Sequence, residues 1–83
     1  MTIKEELLNY IEDNVTDSAY LKVHEIVLDT GEGSSLHTYQ KGTKLLTIPK
    51  ARTLTIISDF SDELVGQYPN DTNTIQILSW ELA

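Results

Sequence analysis

The chain has no cysteine, which excludes a disulfide framework and any thiolate metal site, and a small domain without such staples fits a reducing compartment. It also lacks an apolar run approaching the roughly 18 residues that a bilayer-spanning helix needs. Met1 to Val15 carries acids where a secretory leader carries bases. A cytoplasmic protein is the resulting expectation, and the Asn-x-Thr triplets at Asn14 and Asn70 are then chance matches. Bases are scarce, with six against thirteen acids and a net charge of −7. That balance repels the phosphates of free nucleic acid and anionic membrane surfaces.

Chemistry-bearing residues are scarce as well. His24 and His37 are the only histidines, and neither has the further ligands, or the nucleophile, at a spacing that a zinc or hydrolytic site requires. Asp59, Asp62 and Glu63 lack the Asp-x-Asp-x-Asp-Gly pattern of a calcium loop. Gly31-Glu32-Gly33 has no following base or helix start and so reads as a turn rather than a phosphate loop. No catalytic residue, metal site or cofactor is therefore expected, and the chain reads as a binding protein rather than an enzyme.

What is present is regular patterning over 83 residues, enough for one domain spanning 1–83. Thr2-Ile3-Lys4-Glu5 forms a capping box, and Ile3, Leu7, Leu8, Ile11 and Val15 follow as one apolar helical stripe ending near Asn14. Tyr20 to Leu28 reads as a strand whose alternation slips around Glu25, a sign of a bulge or of burial on both faces. Leu36 to Gln40 and Lys44 to Ile48 flank Lys41-Gly42-Thr43 like the arms of a hairpin. Thr53 to Ser58 is β-branched and reads as the next strand of a meander. Asp59 to Gly66 suits one helical turn, Tyr68-Pro69-Asn70-Asp71 a reverse turn, and Thr72 to Leu82 the last strand. The expected architecture is α+β, an N-terminal helix packed on a meander-like antiparallel sheet of about five strands.

Charge is segregated along the chain: residues 1–40 carry −6, residues 41–52 carry +4 and residues 53–83 carry −5. The central stretch holds Lys41, Lys44, Lys50 and Arg52 without an acid. Two groups of neighbouring acids stand out as candidate partner-binding residues, Glu25, Asp29 and Glu32 in one and Asp59, Asp62 and Glu63 in the other. Exposed acids this close repel one another, a small cost that a basic partner surface would offset. Trp80, close to the chain end on an exposed side of the last strand, is the aromatic candidate for an interface anchor.

In size, acidity and lack of catalytic residues the chain resembles the compact inhibitors of phages and mobile elements, such as anti-CRISPR proteins and uracil-DNA glycosylase inhibitors. The helix from Thr2 to Asn14 followed by Leu21-Lys22-Val23-His24-Glu25-Ile26-Val27-Leu28 is similar to the helix and glutamate-bearing first strand of the latter. That resemblance implies that Glu25 faces the partner. It breaks off where those proteins have a second acidic helix, because Gly31, Gly33, Ser34 and Ser35 do not support one. The functional expectation is a small acidic DNA mimic, monomeric or homodimeric, that inhibits or sequesters a basic, nucleic-acid-handling protein. The alternatives are an assembly subunit that pairs through a sheet edge, or an antitoxin or immunity protein.

Overall fold

The computed structural model describes residues 1–29 and 37–83, with the side chains of residues 29 and 37–41 excepted. Helix α1 spans Ile3–Asn14 and starts as its sequence dictates: the Thr2 hydroxyl accepts from the Glu5 amide at 3.1 Å and donates to Glu5 Oε1 at 3.3 Å. Acids in the first turn, Glu5 and Glu6, suit the positive end of the helix dipole. Leu7 and Ile11 are fully buried, Val15 is buried and Leu8 packs against the same cluster, whereas Ile3, in the opening turn, stays exposed.

Strand β1 (Leu21–Asp29) leads through residues 30–36 to strand β2 (His37–Leu46), its antiparallel neighbour. Helix α2 (Lys50–Ser58) follows, then the two-residue strand β3 (Val65–Gly66) and strand β4 (Thr74–Leu82). The sheet order is β2-β1-β4-β3, all antiparallel, with both long central strands flanked on each side. The protein is α+β as expected, but with four strands rather than five among the described residues and with β4 inserted beside β1, so the sheet is not a meander.

Three local expectations are corrected. The supposed hairpin around Gly42 is the middle of one continuous strand: Gly42 lies opposite Glu25, and its φ is outside the left-handed region that a tight turn would use. Thr53 to Ser58 is helical rather than extended. Pro49 sets the chain at φ −52° before the first turn, and Thr53, Ile56, Ile57 and Phe60 fall on one buried stripe. The hydroxyls of Thr53 and Thr55 donate back to the carbonyls of Pro49 (3.2 Å) and Ala51 (3.0 Å), a local alternative to strand pairing that β-propensity ignores. Where one helical turn was expected over Asp59 to Gly66, residues 59–64 form a tight turn that leads into β3.

Both helices cover the same face of the sheet. They run antiparallel, since Lys50 at the start of α2 meets Glu12 near the end of α1 and the Asp62 carbonyl accepts from the Lys4 amide. Leu21, Val23, Leu46, Ile75 and Ile77 face Leu7, Ile11, Ile56, Ile57 and Phe60 across one core. The slip around Glu25 has a specific origin. His24 pairs with Ser79 but Glu25 with Ile77, so the extra residue of the bulge is Leu78 on β4, while β1 keeps its alternation. Directly paired residues share a face, so Glu25, opposite buried Ile77, is a carboxylate in a core-facing series.

The close packing of β3 yields a test. A Cβ at Gly66 would stand 2.7 Å from Cγ and Cδ1 of the buried Phe60 ring, nearer than any relaxed contact. Gly66→Ala is expected to lower the unfolding free energy by about 1–3 kcal/mol through overpacking. Urea melts measure it, and a variant as stable as the parent would mean that the ring swings aside without strain.

Candidate protein-binding surfaces

The acidic turn is built by backbone geometry that leaves its side chains in solvent. Asp59 caps α2, and Ser61 closes the loop three times, its amide donating to the Val65 carbonyl (2.9 Å) and its carbonyl and hydroxyl accepting from Leu64 N (2.9 Å) and Val65 N (3.2 Å). Leu64 adopts a φ of 61° and is fully buried. A left-handed leucine is strained, and its seat in the core holds it there. Asp59, Asp62 and Glu63 are all exposed. The 3.3 Å bond from Lys4 N to the Asp62 carbonyl sets this turn against the first turn of α1, whose Glu5 and Glu6 are exposed too. Five acids thus gather at one end of the molecule. Glu5 and Glu6 were missed as site residues because the capping box accounts for them locally and nothing in the sequence links them to residue 62.

The other acidic group does not assemble in the same way. Glu25 is half-buried on the helix-covered face. Tyr68, itself buried, stands close enough that burial first and the Glu25 charge second push its hydroxyl far above the ordinary value of 10. Neither Glu25 Oε2 nor the Tyr68 hydroxyl has a partner at hydrogen-bonding geometry. Glu25 is therefore turned toward Tyr68 instead of outward as the resemblance implies. Asp29 ends β1 opposite His37, its side chain lying outside the described atoms, and Glu32 lies outside the described residues altogether, as does the Gly31-Glu32-Gly33 turn.

Trp80 is half-buried with its ring centroid 6.3 Å from that of Tyr10, so it braces α1 on β4 from the core side. That position replaces the exposed strand face expected for it. His24 contacts Thr43 Oγ1 (3.2 Å) and Glu81 Oε1 (3.5 Å) on the opposite, helix-free face. Among the described residues no group of three histidines or carboxylates could hold a metal ion, and no helix is long and apolar enough to cross a membrane.

The basic stretch is divided by its surroundings. Lys50 pairs with Glu12 at 3.6 Å, and Lys44 reaches Asp71 at 3.8 Å while lying 4.0 Å above the Tyr68 ring. Arg52 is exposed and meets no carboxylate among the described residues. It borders a cleft of about 190 Å³ between the end of β2, α2 and the Tyr68–Asn70 turn. Comparison with protein families, with curated proteins and with solved structures finds no match for this chain.

Proposed function

We propose that the chain acts by binding, with no catalysis of its own, and that its acidic end docks on the basic surface of a nucleic-acid-handling protein, which it thereby inhibits or sequesters. The carboxylates of Asp59, Asp62 and Glu63, joined by Glu5 and Glu6, would occupy positions that phosphates take on that surface. The observation that carries this reading is the Lys4 to Asp62 contact, which brings two acidic segments distant in sequence to one exposed end. Acids held together in solvent raise the local negative potential and speed encounter with a positive groove. They also repel free nucleic acid, which carries the same sign of charge. An antitoxin or immunity role uses the same contact and differs only in the partner.

The test begins with a pull-down from host lysate to obtain the partner. Replacing Asp59, Asp62 and Glu63 together with Asn, Asn and Gln should then slow association about tenfold at low salt and flatten its dependence on ionic strength. The thermal melt should stay within the range of surface substitutions. Association rates unchanged at both low and high salt would overturn the reading. The assembly-subunit alternative draws on a different observation, the long outer edge of β2, which has no strand partner among the described residues.

A further inference from the structure

We infer that the outer edge of β2 near Lys44 to Thr47 takes up an extended acidic segment of a partner protein as an added strand, with a carboxylate side chain entering the cleft between β2 and Arg52. The inference does not rest on the acidic end of the molecule.

A strand paired on one side only presents a row of free amides and carbonyls on the other, and among the described residues β2 pairs with β1 alone. The cleft opens onto that row. One wall is formed by the last three residues of β2, Lys44 to Leu46, and by Thr47 and Ile48 just beyond it. Side chains of a strand alternate between faces, so a cleft that touches every successive residue lies along the backbone edge and not on one face. The facing wall comes from α2 through Arg52 and Ile56 and from the turn at Tyr68.

The charge of this cleft selects the occupant. Arg52 lines it without a carboxylate partner among the described residues, beside Lys44, which already meets Asp71, on a protein whose net charge is −7. Helix α2 adds to the sign: its first turn contains no acid and its N-cap, Pro49, provides no side-chain acceptor for the opening amides. At about 190 Å³ the space is below the roughly 300–1,000 Å³ of small-molecule and cofactor pockets, and it suits one or two side chains of a bound strand. A second copy of this chain pairing β2 to β2 would offer the same lysines, Lys41 and Lys44, and no acid in return. Edge pairing with alternate side chains in pockets is an established mode of peptide recognition.

The probe is a ten-residue peptide alternating Glu with Thr, titrated into the isotopically labelled full chain, with a Lys–Thr peptide as control. The Glu–Thr peptide should shift the amide resonances of Leu45, Leu46 and Thr47 and slow hydrogen exchange at whichever of Leu45 and Leu46 points its N–H away from β1. Arg52→Ala should weaken binding about tenfold with an unchanged far-ultraviolet spectrum, since Arg52 is exposed. Silence of the β2 amides, equal binding of the Lys–Thr peptide, or undiminished binding by the Arg52 variant each overturns the inference. So does protection of the same amides that grows with protein concentration alone, which would make a second copy the occupant.

Discussion

Leu7→Ala is expected to lower the unfolding free energy by about 2–5 kcal/mol, a large share of the roughly 5–15 kcal/mol that holds a domain together. Leu7 is wholly buried and belongs to the cluster that joins α1 to Ile57 of α2 and to Val23 and Ile75 of the sheet. Truncation there removes the transfer free energy of the lost methine and two methyl groups and leaves a cavity bounded by three elements, which cannot all collapse toward it. Leu8, one residue on, is only partly buried, so Leu8→Ala should cost less than its neighbour in the same urea melts. If Leu7→Ala changes stability by less than about half a kcal/mol, or if the order of the two variants reverses, then α1 does not anchor the core through Leu7.

Above pH 10 the protein should lose stability through Tyr68, and Tyr68→Phe should abolish that part of the loss. The hydroxyl is held protonated in the folded state by burial, by the charge of Glu25 and to a lesser degree by Asp71. In the unfolded chain it titrates near its ordinary value of 10. The folded-state value is the raised one, so the stabilisation is present in full below pH 10 and is lost as pH climbs past it, because only the unfolded state can release the proton. The loss approaches about 1.4 kcal/mol per pH unit. Near neutrality, where the phenol is protonated in both states, the difference between the two proteins should not vary with pH. Urea unfolding of both proteins between pH 8 and 11.5 isolates this group from the lysines and the other tyrosines. A difference between the two that does not change with pH would show that the phenol ionises freely in the fold.

The parts of the fold that were legible in sequence are those governed by local chemistry. The Thr2 cap and the Leu7, Ile11, Val15 stripe specify α1 without help from the rest of the chain, and Tyr68 to Asp71 turns as read, the Asp71 amide donating to the Tyr68 carbonyl at 3.0 Å. Helix α2 was missed because Thr53, Thr55, Ile56 and Ile57 favour strands one by one, although the 53, 56, 57, 60 spacing was already that of a buried helical face. Gly42 misled for the opposite reason. A glycine between two lysines looks like a loop, but here it is an exposed strand position facing open space, where a missing side chain costs little packing.

The candidate surfaces were legible only as lists of charges. Asp59, Asp62 and Glu63 were recognisable as a group because they are neighbours in sequence. Their union with Glu5 and Glu6 depends on one tertiary hydrogen bond, and the separation of Glu25 from all of them depends on which face of β1 it occupies. That face was obscured because a carboxylate in a core-facing position breaks the very alternation from which faces are read. The cleft at Arg52 was beyond reach for the same reason that α2 was: with residues 53–58 taken as a strand, Arg52 and Ile56 do not share a wall.

The position of β4 between β1 and β3 bears on how the chain reaches this state. The β1–β2 hairpin closes a short loop, whereas the β1–β4 ladder joins Leu21 to Leu82 and must wait for almost the whole described chain to gather. Closing the longer loop carries the larger entropy cost, and ladders between distant segments form slowly. Until that closure β1 has a second bare edge, and β3 has nothing to pair with. Trp80, the single tryptophan, sits on β4 against Tyr10 of α1, so its fluorescence reports the docking of the strand whose partners are farthest away in sequence.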